Sequence, residues 1–82
     1  MVTTADVITV KLFAGLGART LERRAAYALA PADAATVGDV ASLLGLEPGA
    51  TGIVLVNGLH ARAEQTLAAG DEVSLFPPLG GG

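Results

Sequence analysis

Apolar and polar side chains alternate in two short segments of the chain, and this spacing predicts β-strands with one face buried. The first segment covers residues 7–13, and its apolar positions share the inward face: Ile8, Val10 and Leu12. The second segment covers residues 72–76, with Val73 and Leu75 inward. The same alternation predicts that Phe76 lies on the opposite face, away from the core.

Two further segments have strand-forming sequences. Residues 53–56 (Ile-Val-Leu-Val) are continuously apolar, which is typical of a strand that is covered on both faces. Asn57-Gly58 follows directly and is a strong hairpin signal, so residues 59–61 are expected to form a short return strand. Residues 24–30 are a weaker candidate, because their alanines would also suit a helix.

One segment has the spacing of a helix. Thr36 is a suitable N-cap, and Asp39 places a carboxylate in the first turn, where it favours the helix dipole. The apolar residues expected on one helical stripe are Val37, Val40, Leu43 and Leu44. Gly45 is a natural stop, and residues 16–21 could form a further short helical turn. Several strands and one main helix predict an α+β fold, with the helix packed across one sheet face.

Length and composition restrict the classes of protein. The 82 residues are enough for one small domain, and 51% hydrophobic against 16% charged residues indicates a globular chain. The formal charge of −3 argues against a nucleic-acid partner. Cysteine is absent from the sequence, which excludes disulfides and thiolate chemistry. We see no signal-peptide pattern and no apolar run of membrane-spanning length, so we expect a cytoplasmic protein with no membrane partner.

The end of the sequence offers little side-chain chemistry. It comprises Phe76, Pro77, Pro78, Leu79, Gly80, Gly81 and Gly82. Proline fixes φ and removes an amide donor, so the chain should leave the sheet at Pro77 as a stiff, extended stalk. Glycine allows close backbone approach, and three glycines leave only backbone and a terminal carboxylate. This tail suits the insertion of a carboxylate into a narrow channel of another protein.

These patterns divide the chain into a folded part and a tail. Residues 1–76 are expected to form the domain, with residues 1–5 as a loose end, and residues 77–82 to form a flexible tail. An apolar run just before the tail should contact a partner, because aromatic anchors are favoured at interface cores. The predicted contact residues are Phe76, Pro77, Pro78 and Leu79.

Other polar residues do not suggest a site. His60, the sole histidine of the sequence, has no neighbouring ligands, so we predict no metal site. Arg19, Arg23 and Arg24 form a small basic cluster, for which a solvated face is favoured over a binding patch.

Several motifs at a consistent spacing resemble those of a known family. They are Lys11-Leu12-Phe13-Ala14, Thr36-Val37-Gly38-Asp39-Val40, Val56-Asn57-Gly58, Leu67, Gly70-Asp71-Glu72-Val73, Phe76-Pro77-Pro78 and Gly81-Gly82. The chain resembles the MoaD/ThiS family of ubiquitin-like sulfur carriers from about residue 7 to residue 82. Phe76-Pro77-Pro78 makes it most similar to the small subunit of molybdopterin synthase, whereas the triple-glycine ending is closer to the thiamine-pathway carriers. The resemblance implies a β-grasp fold with a mixed sheet of four to five strands and one main helix. Together with the apolar alternation, it predicts that the strands of residues 7–13 and 72–76 are adjacent and parallel at the sheet centre.

The resemblance also implies a chemistry. An ATP-dependent adenylyltransferase of the ubiquitin-activating type would adenylate the carboxylate of Gly82, and sulfur would then replace the nucleotide to give a thiocarboxylate. Gly80 and Gly81 would pass through the enzyme's channel. The sulfur acceptor would be an enzyme such as a molybdopterin synthase large subunit. The chain would then be a carrier, or the small subunit of such a synthase. It would have no catalytic groups and no bound cofactor of its own, and the activating enzyme would use the ATP.

Other functions remain open at this point. The carrier could serve thiamine, cysteine or another pathway. A ubiquitin-like modifier would instead be conjugated through Gly82 to lysines of other proteins. An interaction module with no chemistry of its own is the third possibility.

Overall fold

A computed structural model describes residues 6–47 and 49–78. Its elements follow the sequence pattern closely. The strands are β1 (Ile8–Leu12), β2 (Ala26–Leu29), β3 (Ile53–Val56), β4 (Leu59–His60) and β5 (Glu72–Phe76). Helix α1 covers Val37–Leu43, and short 3₁₀ helices cover Leu16–Arg19 and Pro31–Asp33. Each predicted strand and the predicted helix are therefore present, with ends that differ by a few residues at most.

The five strands form one mixed sheet in the order β2-β1-β5-β3-β4. The first and last strands of the chain, β1 and β5, lie side by side and parallel, with Val10 opposite Val73 and Leu12 opposite Leu75. The other neighbouring strands are antiparallel. The predicted α+β architecture, with one helix and a mixed sheet, is confirmed.

The core lies between one face of this sheet and α1. The inward residues predicted from alternation in β1 and β5 are all buried, and they form one cluster with residues of α1. The largest completely buried side chains are Ile8, Val10, Leu16, Val40, Val73 and Leu75. Tyr27 and Leu29 of β2 pack against the edge of the same cluster.

Helix α1 begins and ends as its sequence predicts. The N–H of Asp39 donates to the Thr36 hydroxyl (3.2 Å), and the N–H of Thr36 donates to the Asp39 carboxylate (3.1 Å), which forms a capping box. Gly45 has a φ of +79°. The N–H groups of Gly45 and Leu46 donate to the carbonyls of Ser42 and Ala41, which is a Schellman ending.

The prediction that Leu43 belongs to the buried stripe is wrong. Its side chain is 44% exposed, whereas Val37, Val40 and Leu44 are buried. With 3.6 residues per turn, Leu43 lies about 120° around the helix from Val37, whereas Val40 and Leu44 lie within about 60° of it. A residue at i+6, such as Leu43, therefore lies outside the buried side of the helix.

The prediction that β3 is covered on both faces is also wrong. Val54 and Val56 contribute to the core, but Ile53 and Leu55 point to the other side of the sheet and stay partly exposed. The single helix covers one face only, and the described residues form no layer on the other. We call this uncovered side the open face of the sheet.

A hydrogen-bonded network joins the β3–β4 turn to the start of β5. Asn57 and Gly58 both have positive φ, as a two-residue type I′ turn requires. The Asn57 amide donates to one Asp71 oxygen (3.0 Å), the N–H of Ala68 donates to the other (2.8 Å), and the N–H of Glu72 donates to Asn57 (2.9 Å). The hydrogen bonds from Ala68 and Asn57 hold the pKa of Asp71 below its usual 3.8.

Leu44→Ala should lower the free energy of unfolding by about 2–5 kcal/mol, because the leucine is 3% exposed and its removal leaves a cavity. The adjacent Leu43→Ala is the matched control and should change it by less than about 0.5 kcal/mol. Denaturant titration of the two variants measures the difference. Equal losses would contradict the packing of α1.

Asp71→Asn should destabilise the protein most at neutral pH. Because the pKa of Asp71 is lower in the folded protein than in the unfolded chain, its stabilisation is complete above the ordinary pKa of 3.8 and is lost as the pH falls through the folded-state pKa. The gap in unfolding free energy between the native protein and Asp71→Asn should therefore shrink in acid. Denaturation of both proteins at a series of pH values measures it, with Asp33→Asn as the control. A gap that does not change with pH would contradict the role of the Asp71 charge.

Candidate functional site

The chain leaves the sheet at the end of its central strand. β5 lies between β1 and β3 and ends at Phe76. The N–H of Gly52, just before β3, donates to the Phe76 carbonyl at 2.7 Å. Pro77 has no N–H with which to continue the ladder. The segment that leads to residues 79–82 therefore starts from the middle of the sheet and not from an edge.

Phe76 lies on the open face, as the alternation predicted, but it is only partly exposed. Its ring stacks on Phe13, with 4.7 Å between the ring centroids and 10° between the ring planes. The N–H of Phe13 donates to the Leu75 carbonyl (3.0 Å), which extends the β1–β5 pairing by one residue and brings the rings together. Phe13 itself remains 40% exposed.

Phe13 is a residue of this site that sequence reasoning missed. The sequence did indicate its orientation, because the alternation in β1 places Phe13 on the same face as Thr9 and Lys11, opposite to the inward residues. The prediction that β1 and β5 are adjacent and parallel is confirmed, but the sequence did not provide their register, which places Phe13 beside Phe76.

Phe13 and Phe76 belong to a larger apolar surface. Ile53 lies opposite Phe76 in the β3–β5 register, and Leu55 follows on the same face. We call these four residues (Phe13, Ile53, Leu55 and Phe76) the open-face patch. Lys11 and Glu72, each about half exposed, form an ion pair at 2.6 Å on the same face. Contiguous apolar surface of this kind, bordered by charges, is typical of an interaction site.

The remaining predicted site residues divide into two groups. Pro77 is partly buried and Pro78 is exposed, directly after the open-face patch. Leu79, Gly80, Gly81 and Gly82 lie outside the described residues, so their roles stay predictions.

The rest of the described surface offers no comparable chemistry. Arg24 is engaged locally, since its guanidinium pairs with Glu22 at 3.3 Å and lies 5.4 Å from the centroid of the Tyr27 ring. A shallow cavity of about 270 Å³ beside the β3–β4 turn is lined in part by Asn57, His60 and Asp71. Within residues 6–47 and 49–78, no three His, Cys, Asp or Glu side chains are grouped so that they could hold a metal ion. No helix in this part of the chain is long and apolar enough to cross a membrane.

Comparison with solved structures identifies the class of protein. The crystal structure of SAMP1 from Haloferax volcanii is 34% identical over 93% of this chain and 99% of that chain, with a TM-score of 0.70. The crystal structure of H. volcanii small archaeal modifier protein 1 is 30% identical over 89% of this chain and 98% of that chain, with a TM-score of 0.70. These similarities, together with the mixed sheet and single helix, define a β-grasp protein of the ubiquitin-like carrier or modifier class.

The family follows from the sequence itself. The ThiS family model matches residues 10–82, so the chain belongs to the ThiS family. The solution structure of Urm1 from Trypanosoma brucei is 21% identical over 99% of this chain and 100% of that chain, with a TM-score of 0.71, and supports the fold alone. No curated protein sequence gives a significant match. The resemblance to the MoaD/ThiS family and the predicted β-grasp fold are both confirmed.

Proposed function

We propose that this protein is a sulfur carrier whose Gly82 carboxylate is adenylated and then converted to a thiocarboxylate, and that the sulfur is used in molybdopterin biosynthesis. The observation that carries the proposal is the exit of the central strand β5 beside the uncovered open-face patch. This arrangement allows one partner to bind the patch and receive the chain that follows Pro78. The family match, which extends to Gly82, supports the same reading.

The proposed chemistry has two steps. A Gly82 carboxylate oxygen attacks the α-phosphorus of ATP in the activating enzyme, and pyrophosphate leaves, so that the acyl carbon becomes bonded to AMP. Sulfur at the sulfide level (HS⁻) then attacks the acyl carbon, AMP leaves with the oxygen that bridged carbon and phosphorus, and loss of the S–H proton gives the thiocarboxylate. The first step is needed because a free carboxylate is a poor acyl donor.

The carrier contributes position to this chemistry. Binding of the open-face patch would hold the tail at a fixed starting point and so convert a bimolecular attack into one at high effective concentration. The proposed contacts are Phe76, Pro77, Pro78 and Leu79, with Phe13 added by its stacking on Phe76. The catalytic groups and the ATP would belong to an activating enzyme of the ubiquitin-activating type, and the sulfur would pass to an acceptor enzyme such as a molybdopterin synthase large subunit.

The choice of pathway rests on the sequence between β5 and the tail. Phe76-Pro77-Pro78 supports the molybdopterin branch, and the triple glycine that ends the sequence supports the thiamine carriers. Delivery of sulfur to thiamine, cysteine or another product therefore remains the alternative within the same chemistry.

A second function is supported by a specific similarity. The 30% identical H. volcanii protein bears the name small archaeal modifier protein 1. In a modifier, the activated Gly82 acyl group would be transferred to a lysine amine of another protein and form an isopeptide bond. Lys11 is the only lysine of this chain and is paired with Glu72, which would limit conjugation of the protein to itself.

Mass spectrometry of the protein isolated from its own cell separates the two functions. A sulfur carrier should include a form whose intact mass is higher by the difference between sulfur and oxygen. A modifier should give peptides in which Gly82 is linked to lysines of other proteins. The absence of the sulfur-containing form, together with such peptides, would overturn the carrier proposal.

Phe76→Ala should weaken binding to the activating enzyme by at least about 1 kcal/mol, because truncating an aromatic anchor at an interface typically has this effect. Phe13→Ala should weaken it as well, since Phe13 supports the ring of Phe76. Leu59→Ala is the control: Leu59 is 73% exposed but pairs with Val56, whose side chain faces the core side of the sheet. Titration calorimetry gives the affinities. If Phe76→Ala binds as tightly as Leu59→Ala, the open-face patch is not the partner surface.

Deletion of Gly81 and Gly82 should abolish thiocarboxylate formation without changing thermal stability, because the last few residues of a chain typically contribute little to folding. One residue added after Gly82 should also abolish it, since the carboxylate would be displaced by about 3.5 Å. Gly81→Val should block the channel by bulk. The measurement is ATP-dependent thiocarboxylate formation with the activating enzyme. An extended chain that reacts as fast as the native one, without trimming, would contradict the channel argument.

A further inference from the structure

Gly52 makes an unusually close backbone contact with the start of the tail. A Cβ atom placed on Gly52 would lie 2.5 Å from the Cα and 2.9 Å from the nitrogen of Pro78, and 3.0 Å from the carbonyl oxygen of Pro77. The first distance is about 1 Å shorter than the 3.5 Å at which carbon atoms make optimal contact. All three atoms are backbone, so no side-chain rotation could relieve the overlap.

This contact is the one structural reason for glycine at position 52. Its φ is not in the left-handed region, unlike that of Gly45 or Gly49, so any residue could adopt its backbone conformation. Gly52 is also exposed, so the packing of the core does not exclude a side chain. What excludes a side chain is the path of Pro77 and Pro78.

The two sides of the contact differ in their freedom to move. Gly52 lies between Ala50, which is buried in the core, and Ile53, the first residue of β3. Its N–H is also bonded to the Phe76 carbonyl. Pro78, in contrast, is exposed and lies two residues beyond Phe76, the last residue of β5. A side chain at position 52 would therefore displace the stalk and leave the sheet in place.

We propose that Gly52 is a positioning residue that sets the direction in which the tail leaves the fold. The inference rests on the proposed function, because direction matters only if Gly82 must reach a reacting centre in a partner. A misplacement of 1 Å can lower the rate about 100-fold. To accommodate one added methyl group, Pro78 would have to move by about 1 Å. The residues that follow Pro78 would be displaced with it.

The test compares three glycine-to-alanine variants. In Gly52→Ala the added methyl group meets the stalk. In Gly17→Ala it meets backbone in another part of the fold, at 2.7 Å from the Arg24 carbonyl oxygen and 2.8 Å from the Ala25 Cα. In Gly38→Ala the nearest atom is at 3.4 Å, which is an ordinary contact, and the φ is again not left-handed. Gly17→Ala therefore measures the effect of a backbone clash that does not involve Pro77 or Pro78. Gly38→Ala measures the effect of an added methyl group that causes no clash.

The measurements are the thermal midpoint, the kcat and KM of ATP–pyrophosphate exchange with the activating enzyme, and nuclear Overhauser contacts between the α-protons of residues 52 and 78. Gly52→Ala should lose these contacts and reduce kcat by about 10–100-fold. Its KM should change little, because the open-face patch is intact. Gly17→Ala should lower the midpoint but keep the kcat of the native protein. Gly38→Ala should also keep this kcat, and its midpoint should stay the same or rise, because alanine is favoured over glycine within a helix.

Two results overturn the inference: a Gly52→Ala protein with native kcat, or a native protein in which the contact between residues 52 and 78 is absent. The second measurement needs only the native protein, so it decides the question even if Gly52→Ala does not fold. Failure of the proposed function has a different signature. If Gly82 is not adenylated, the native protein supports no ATP–pyrophosphate exchange, and if it is adenylated but carries no sulfur, exchange occurs without thiocarboxylate formation; in both cases the contact between residues 52 and 78 would still be observed.

Discussion

The parallel pairing of β1 and β5 is the interaction on which the rest of this structure depends. It joins the two ends of the described chain at the centre of the sheet, with Val10 beside Val73 and Leu12 beside Leu75. All four side chains are buried against α1. Parallel neighbours cannot be joined by a tight turn, so the whole middle of the chain has to serve as their connection. β2 then pairs on the outer side of β1, and β3 and β4 on the outer side of β5.

This central pairing has a consequence for the surface. Within residues 6–47 and 49–78, one seven-residue α-helix covers one face of the five-stranded sheet and leaves the other uncovered. Apolar residues on the other face, among them Phe13 and Phe76, shield each other by stacking but stay partly exposed. The open face lies next to the end of β5 because β5 is the central strand and its last residue, Phe76, is on that face. Recognition surface and tail are adjacent because one strand supplies both.

Backbone contacts, more than side-chain contacts, define where Pro77 and Pro78 leave the sheet. Phe76 accepts the last hydrogen bond of the β3–β5 pair from Gly52, and Pro77 and Pro78 then pass so close to Gly52 that a methyl group would not fit. A prolyl stalk is stiff, so a constraint at its base is transmitted along it. Gly52 therefore leaves room for the backbone of Pro77 and Pro78, and the two prolines restrict that segment to stiff, extended conformations.

Local physics accounts for what the sequence determined by itself. The inward residues of β1 and β5, the capping box of Thr36 and Asp39, the stop at Gly45 and the type I′ turn at Asn57-Gly58 each depend on a few adjacent residues. The same local signals, together with the family motifs, predicted the fold and located Phe76 on the outer face. Leu43 was misassigned because a position six residues along a helix is not on the same side.

Only the tertiary structure decided which distant residues meet. Phe13 stacks on Phe76 because β1 and β5 are parallel in one particular register, and the close approach of Gly52 to Pro78 follows from the register of β3 and β5. Both contacts join residues far apart in the chain, and neither leaves a periodic signal in the sequence. The exposure of Ile53 and Leu55 was likewise decided by the number of layers, since a continuous apolar run reads the same whether one face or two are covered.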